Sequence, residues 1–424
     1  MFIHWGVYSV PAWRKVTPGL YASYAEWYYA RVMDDTVNGG KEFHDRVYGE
    51  DFEYRDFGPM FKAELFDPVE WANIFKRAGA RYVVLTSKHH DGYCLWDTKS
   101  PYKADWNSVA VGPQRDLLSE LTASVKARGM KMGIYYSIVE WETHQRKGNY
   151  MIDEKYVRKY RIPENEYVDN HLQFQLKELV EDYEPSLIFF DAGEWEGDDN
   201  YWKSKEFLSW LYSESSVKDE VVVNDRFFKG MTARHGDYYS SEYKDAEGVG
   251  IRHPWEESRG IGGSYGFNRD EDIDDYASTE ELIHELIEIV SRGGNLLLNV
   301  GPTADGRIPV IMQERLVEIG EWLSINGEAI YNTHPIDEKL ISHNEHVFCT
   351  EKENAYYLLF TEWPESVIVI NPFTVQVKKV SVLGYEKNIV WNQADRRLSI
   401  TPPMINIPQI PCRHAWVFKI EFER

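Results

Sequence analysis

Short apolar runs alternate with amphipathic stretches over most of the chain, up to about residue 335. Each run has the length of a strand and is almost continuously apolar, which favours parallel strands buried on both faces. Between the runs, apolar residues recur every third or fourth position, which predicts helices. We predict strands near 2–6, 82–88, 131–137, 187–191, 221–226, 237–242, 253–257 and 295–301. We predict helices over 68–78, 116–128, 170–183 and 278–292. Gly79, Gly129 and Gly293 lie where the first, second and fourth of these helices are expected to end.

The pattern changes after about residue 340, where short apolar runs are separated by polar, Gly or Pro turns. This pattern is typical of an antiparallel β-sandwich. The predicted strands are 347–349, 355–360, 366–370, 375–382 and 415–420. We therefore predict an α/β protein, with a barrel domain over residues 1–335 and a C-terminal β-sandwich over residues 336–424. The 424 residues are enough for both domains.

Charge and cysteine content narrow the classes of partner. A formal net charge of −22 argues against nucleic acid or an anionic membrane surface, because both attract basic patches. The three cysteines (Cys94, Cys349 and Cys412) are far apart, so neither a disulfide framework nor a cysteine metal site is predicted. No apolar run approaches the roughly 20 residues that span a bilayer. The high aromatic content of 15% suits the apolar faces of sugars, although it equally suits an ordinary core.

Polar residues follow the predicted barrel strands at their carboxyl ends, where α/β barrels hold their active sites. The run 187–191 is apolar until it ends in Asp191. A strand that only filled a core would not need to end on an acid. The other strand ends supply His4, Trp5, His89, His90, Tyr135 or Tyr136, Asn224, Asp225, Arg226, Glu242 and Glu256.

Two carboxylates among aromatic, His, Tyr and Arg side chains suit glycoside hydrolysis, in which one acid attacks or activates water and the other protonates the leaving oxygen. Simpler interpretations stay open at this point. Glu256 is equally compatible with a solvated or salt-bridged acid that has no catalytic role. For Asp225 we favour a role in orienting Arg226 over catalysis. His89 and His90 could be metal ligands, but adjacent strand residues point to opposite faces and no HxH or HExxH pattern completes a site.

Five segments resemble the α-L-fucosidases of glycoside hydrolase family 29: 2–13, 26–28, 88–93, 224–226 and 299–306. The resemblance extends over essentially the whole chain. It implies an irregular (β/α)8-like barrel and a retaining mechanism, with neither a metal nor an organic cofactor. It implies that Asp191 is the nucleophile. The fucose pocket would be lined by His4, Glu26, Trp27, His89, His90, Tyr135 and Arg226.

The resemblance leaves two candidates for the general acid/base. Glu242 lies in a Ser-Glu-Tyr context similar to a family motif, and Glu256 lies in a Trp-Glu motif that also occurs in the family. We favour Glu242. The C5 methyl group of fucose would contact Phe189, Trp27 and Phe267. The segments 255–256 and 264–268 resemble the branch of the family with broader linkage specificity.

We therefore expect an exo-acting α-L-fucosidase that releases terminal fucose from oligosaccharides, glycoconjugates or small fucosides. Two alternatives stay open: a catalytically silent fucose-binding protein, and a retaining hydrolase for another sugar such as α-galactose. A homo-oligomer is compatible with the sequence, and the sandwich is expected to be a structural support. Because strand-like residues begin directly after Met1, we expect residues to be missing upstream. A cytoplasmic, periplasmic or secreted location therefore stays open.

Overall fold

The computed structural model describes residues 1–143, 154–192, 197–244, 253–336 and 346–423. Eight parallel strands form a curled sheet in the first part of the chain. They are β1 (Phe2–Ile3), β2 (Tyr82–Lys88), β3 (Lys131–Ser137), β4 (Leu187–Asp191), β5 (Val222–Val223), β6 (Tyr239–Glu242), β7 (Trp255–Gly260) and β8 (Gly294–Val300). Each strand lies within a few residues of a strand predicted from the sequence, and the α/β barrel prediction is confirmed.

The sheet closes into a barrel in two different ways. Strand β1 pairs with β2 on one side and with β8 on the other, since Ile3 lies opposite both Leu85 and Val300. The ladder order runs from β5 through β1 to β6, so β5 and β6 are its two ends. Between them, the amide of Asp237 donates to the carbonyl of Val223 over 3.0 Å, and the Asp237 carboxylate accepts from the Val223 amide over 2.8 Å. Asp237 therefore helps to bridge the remaining seam.

The helices cover the outside of the barrel between the strands. Helices α2 (Pro68–Arg77) and α8 (Thr279–Ser291) are followed by Gly79 and Gly293, each with a φ of +83°, which a residue with a side chain rarely adopts. Helix α8 begins with a capping box, because Ser278 and Glu281 each accept the other's backbone amide. The helices are α1 (Gly40–Val47), α2 (Pro68–Arg77), α3 (Leu117–Lys126), α4 (Glu154–Tyr160), α5 (Glu164–Glu166), α6 (Gln173–Tyr183), α7 (Ser204–Ser213), α8 (Thr279–Ser291) and α9 (Val310–Asn326).

No helix in the described ranges is both long and apolar enough to cross a membrane. The longest helix, α9, is absent from the sequence predictions. Its buried residues Met312, Leu316, Ile319 and Trp322 do recur at helical spacing, so the signal is present in the sequence.

The C-terminal part of the chain is a sandwich of two antiparallel sheets. Leu358 and Phe418 of one sheet and Leu398 and Ile400 of the other belong to the same buried cluster. One sheet has the order β13 (Gln376–Val382), β16 (Trp416–Glu423), β11 (Ala355–Phe360), β10 (Val347–Lys352) and β9 (His334–Pro335). The other has the order β12 (Ile368–Ile370), β15 (Arg397–Thr401) and β14 (Val390–Ala394). The predicted sandwich is confirmed, although β9, β14 and β15 are not among the strands predicted from the sequence.

The sandwich packs directly on the barrel. Ala355, Leu359 and Val417 of the sandwich belong to the same apolar cluster as the barrel helices. The indole of Trp322 on α9 donates to the carbonyl of Ala415 over 2.9 Å. The strand β9 precedes residue 336, so the exact domain boundary stays a prediction.

Candidate active site

Asp191 is the last residue of β4 and lies at the carboxyl end of the barrel, opposite Ser137 of β3. Phe189, two residues earlier, faces the same side and packs in the barrel interior near Tyr135. Phe190 faces outward and stacks on Phe227. The strand period therefore places the Asp191 carboxylate at the mouth of the barrel.

Three polar side chains surround the Asp191 carboxylate. The Tyr135 hydroxyl donates to Oδ2 over 2.7 Å, and His90 Nε2 lies 3.3 Å from the same oxygen. The guanidinium of Arg226 lies 3.7 Å from Oδ1. Burial alone would raise the pKa of Asp191, but His90, Arg226 and Tyr135 outweigh it and lower this pKa below its usual range. Asp191 is therefore held as a carboxylate, the form that a nucleophile requires.

Glu242 is the last residue of β6 and carries the second carboxylate. Its Oε2 lies 3.3 Å from Arg226 Nη2, and its Oε1 accepts from the Tyr24 hydroxyl over 2.9 Å. Burial and the negative charge of Asp191 raise the pKa of Glu242, although Arg226 and Tyr24 act in the opposite direction. A raised pKa favours the protonated form that a general acid requires.

Arg226 connects the two carboxylates. Its backbone carbonyl accepts from the amide of Ala192, and Asn224 bonds both backbone groups of Phe190, so the segment after β5 is fixed beside β4. The side chains of Asp191, Arg226 and Glu242 are 25%, 17% and 15% exposed, respectively. They can therefore be reached by a ligand, unlike an ordinary buried ion pair.

His4 lies between Asn299 and the site. Its Nδ1 is 2.7 Å from the Asn299 side-chain oxygen, whereas the Asn299 amide nitrogen donates to the carbonyl of Tyr265. Because the amide orientation is fixed in this way, His4 Nδ1 must carry the hydrogen. Burial lowers the pKa of His4 to about 4, so Nε2 of the neutral ring is a hydrogen-bond acceptor. Its ring also stacks on Tyr265.

His89 and His90 follow the end of β2, so strand alternation does not apply to them, and their rings lie 4.9 Å apart with different polar neighbours. The ring of His90 has Nδ1 2.9 Å from the carbonyl of Val139 and Nε2 near Asp191. His89 packs near Tyr8 and Tyr135, and its Nδ1 is buried without a hydrogen-bond partner among the described residues. Burial lowers the pKa of His89 well below its usual value. An unpartnered nitrogen on a neutral ring suits a sugar hydroxyl.

Glu26 and Trp27 form another part of the lining. One Glu26 oxygen accepts from the Gly266 amide over 2.9 Å and from Ser264, whereas the other oxygen is buried without a partner in the described chain. Burial raises the pKa of Glu26 to about 7. The ring of Trp27 lies 5.6 Å from that of His90 and is partly exposed. Phe267 directly follows Gly266 and is also partly exposed.

The structure does not bring Glu256 to this site. It is the second residue of β7, opposite Asn295 near the start of β8, and its carboxylate bonds the hydroxyl of Tyr82 at the start of β2. It therefore lies at the amino ends of the strands, opposite the end that carries Asp191. Burial raises the pKa of Glu256 to about 7, so a perturbed pKa alone does not mark the active site.

Three further strand-end candidates have structural contacts. Asp225 accepts from Ser240 and Ala233 and therefore fixes the loops around β6, and its role in orienting Arg226 stays a prediction. Trp5 packs among outward-facing aromatic residues. Tyr136 faces away from Asp191 and bonds Gln175.

Sequence reasoning missed three residues of the site. Tyr24 contacts Glu242, and both Tyr265 and Asn299 contact His4. Asn299 begins one of the family-like segments and Tyr265 lies in another, but no chemistry was assigned to either. Tyr24 lies two residues before Glu26, and its sequence context carries no signal for a contact 218 residues away.

No group of three potential metal ligands is assembled within the ranges that the structure describes. The absence of a metal from the reaction stays a prediction.

Comparison with known proteins gives a consistent result. Residues 1–328 match the family described as Alpha-L-fucosidase, and residues 342–421 match the Alpha-L-fucosidase C-terminal domain. The chain is 41% identical over 424 residues to tissue alpha-L-fucosidase of Homo sapiens, covering 99% of this chain and 86% of that protein. It is 40% identical to an alpha-L-fucosidase of Dictyostelium discoideum, covering 99% and 90% of the two chains. The structure of Thermotoga maritima alpha-fucosidase with a mechanism-based inhibitor superposes with a TM-score of 0.82 at 36% identity, covering 99% and 94%.

A parallel barrel with two carboxylates at its carboxyl end suits the chemistry of glycoside hydrolases, and the family matches place the chain in that class. The matches to both domains then make the assignment more specific. The chain belongs to the alpha-L-fucosidase family, as its sequence motifs indicate. It is thus an enzyme that hydrolyses alpha-L-fucosides.

Proposed function

We propose that the chain is a retaining exo-enzyme in which Asp191 is the nucleophile and Glu242 the acid/base. The observation that carries this assignment is the shared contact of Arg226 with both carboxylates, whose pKa values move in opposite directions. An ionised acid and a protonated acid on either side of one sugar are what double displacement requires.

In the first step, Asp191 attacks the anomeric carbon of fucose, and the bond to the leaving oxygen breaks as that oxygen takes the proton of Glu242. The product is a fucosyl ester of Asp191. In the second step, Glu242 takes a proton from water, the water oxygen attacks the anomeric carbon, and the Asp191 carboxylate leaves. Both steps invert the anomeric carbon, so the released fucose keeps its configuration.

We propose that terminal fucose of oligosaccharides and glycoconjugates occupies the pocket around these carboxylates. The buried Glu26 oxygen and His89 nitrogen without partners suit the sugar hydroxyls, together with His4, His90 and Tyr135. The methyl group at C5 would contact Phe189, Trp27 and Phe267. A hydroxymethyl group at this position, as in α-galactose, would place a hydroxyl against apolar rings, and this disfavours the hydrolysis of other sugars.

The assignment is tested with 4-nitrophenyl α-L-fucoside and the variants Asp191→Ala, Glu242→Ala and Glu256→Ala, with and without azide. With a second fucoside whose leaving group is poorer than nitrophenolate, we expect Glu242→Ala to lose about 10²–10⁴-fold in turnover. Azide should restore its turnover and give fucosyl azide of retained configuration. With Asp191→Ala, any azide product should be inverted.

Glu256→Ala is the control, since this acid is also on a barrel strand and has a raised pKa but lies at the other end of the barrel. Azide should not change the turnover of correctly folded Glu256→Ala. Azide rescue of Glu256→Ala with retained configuration, or full turnover by Asp191→Ala, would overturn the assignment.

A further inference from the structure

Both oxygens of Glu242 have a hydrogen-bond donor from a different part of the chain. Arg226 approaches Oε2 from the segment after β5, and the Tyr24 hydroxyl donates to Oε1 over 2.9 Å. Arg226 also contacts Asp191, whereas the hydroxyl of Tyr24 contacts only Glu242 among its hydrogen-bond partners described here. Tyr24 therefore has access to one carboxylate of the pair and not to the other.

The position of Tyr24 is fixed by its neighbours. The side chain is 7% exposed, and its ring packs 5.2 Å from that of Tyr265. The next amide, that of Ala25, donates to Ser264 Oγ over 2.9 Å, and the same serine hydroxyl donates to Glu26. A short segment thus holds both a pocket carboxylate and the hydroxyl that reaches Glu242.

We propose that Tyr24 is a positioning residue for the acid/base, which orients the Glu242 carboxyl group and sets its balance between acid and carboxylate. This inference rests on the proposed role of Glu242. Tyr24 does not touch the anomeric carbon or the nucleophile in this arrangement, and it acts through Glu242 alone.

The two donors of Glu242 differ in chemistry. A guanidinium can only donate, so Arg226 makes the same contact whether Glu242 is ionised or not. A phenol hydroxyl can donate to the carboxylate and, after rotation, accept from the carboxylic acid. Burial raises the pKa of Tyr24 far above its usual value, so Tyr24 keeps its own proton in both states. Tyr24 can therefore form a hydrogen bond with Glu242 in either protonation state without losing its own proton.

The direction of the effect follows from the groups that face Glu242. Tyr24 and Arg226 stabilise the carboxylate, whereas burial and Asp191 favour the acid. Loss of the Tyr24 hydroxyl removes one stabilising donor, so the pKa of Glu242 must rise. Among the described residues, the titratable side chains near Glu242 also include Glu26, Tyr243, Tyr265 and, at its backbone carbonyl, Tyr21.

The experiment compares Tyr24→Phe with Tyr21→Phe across the pH range of kcat/KM for an α-L-fucoside with a poor leaving group. Tyr21 lies in the same segment, its ring packs against that of Tyr24, and its hydroxyl reaches the backbone carbonyl of Glu242 rather than the carboxylate. A hydrogen bond to a charged group corresponds to a shift of about one to two pH units. We expect the basic limb to move up by this amount in Tyr24→Phe and to stay in place in Tyr21→Phe.

Two other readouts separate this role from a purely structural one. Tyr24→Phe should leave inhibition by free fucose within about twofold, and it should lose less activity with a dinitrophenyl fucoside, whose departure needs little protonation. An unchanged basic limb in folded Tyr24→Phe, or an equal shift in Tyr21→Phe, would overturn the inference.

Glu242→Ala distinguishes failure of this inference from failure of the proposed function. If Glu242→Ala keeps its turnover and shows no azide response, the assignment of the acid/base is wrong. If Glu242→Ala is inactive and rescued by azide while Tyr24→Phe keeps the wild-type basic limb, only the role of Tyr24 is wrong.

Discussion

At the scale of single residues, Arg226 connects the two carboxylates, and their other neighbours make their pKa values differ. It lies within ion-pair distance of both Asp191 and Glu242 and lowers the pKa of each. Its charge alone cannot make their pKa values differ. Tyr135 and His90 lower the pKa of Asp191, whereas burial and the negative charge of Asp191 raise the pKa of Glu242 in spite of Tyr24.

We predict that Arg226→Gln moves the whole pH profile of kcat/KM upward. Asp191 must be ionised and Glu242 protonated, and both pKa values rise when the positive charge is removed. The acidic and basic limbs should therefore both move up, by about one pH unit each. The limbs report the coupled pair rather than either residue alone. Limbs that moved in opposite directions would contradict the shared contact.

The residues that carry family-like motifs could be predicted from the sequence, and Asp191, Glu242, His4, His90 and Arg226 lie at the same strand ends in the structure. Glu256 shows the limit of this reasoning. Its Trp-Glu motif gives no information on which end of β7 it occupies, and one end of a barrel strand lies far from the other. Tyr24 was not predictable because its partner lies 218 residues away and no periodicity links the two.

At the scale of elements, a buried charge cluster supports the loops that carry the histidines. Glu140 lies 2.6 Å from both Lys88 and Lys103 and 2.7 Å from His171, and all four side chains are at most 1% exposed. Lys88 ends β2 directly before His89. Trp141, next to Glu140, bonds the backbone carbonyl of His90 and packs on its ring. The cluster thus fixes the ends of β2 and β3 relative to each other.

We predict that Glu140→Gln lowers the free energy of unfolding by about 3–5 kcal/mol, because it leaves buried ammonium groups without their counter-charge. Burial favours the neutral acid, but the two lysines hold the pKa of Glu140 well below its usual value. This contribution is therefore present above the ordinary pKa of glutamate and is lost as the pH falls towards the lowered pKa. Urea unfolding at neutral pH measures the change.

The matched control is Glu220→Gln. Glu220 also lies 2.6 Å from a lysine, Lys131, but both side chains are more than 60% exposed. Water screens this pair, so the midpoint of unfolding should not move measurably. Equal effects of the two substitutions would show that burial of the Glu140 cluster contributes nothing.

Elements with a long apolar face or a continuous apolar run were predicted correctly, such as β2, β4 and α8. Strand β14 was not, because its side chains alternate only between partly and fully exposed positions. Its partner β15 has two buried residues, Leu398 and Ile400, which are too few to show a periodic pattern. Pairing with neighbouring strands, rather than local composition, determines such elements.

At the scale of the whole molecule, the barrel and the sandwich share a buried apolar cluster in addition to the sandwich's own core. We predict that they unfold in one cooperative transition, because separating them would expose residues such as Leu359, Val417 and Trp322. Calorimetry checks this directly. Two resolved transitions in the wild-type chain would contradict it.

We also predict that Trp322→Phe lowers the free energy of unfolding by about 0.5–1.5 kcal/mol, since the buried carbonyl of Ala415 loses its indole donor and keeps the weaker thiol donor of Cys412. Thermal unfolding followed at the barrel and at the sandwich should shift by the same amount. A loss confined to one domain would show that this bond does not couple them.

The seam between β5 and β6 has a consequence for the evolution of the fold. Asp191 and Arg226 belong to the half of the barrel before the seam, whereas Glu242 belongs to the half after it, and Asp237 joins the halves at Val223. Insertions or deletions in the chain between Arg226 and Asp237 can change where the second carboxylate enters the mouth without disturbing the ladder that presents the first. Natural selection can therefore vary the position of the proposed acid/base while the proposed nucleophile stays in place.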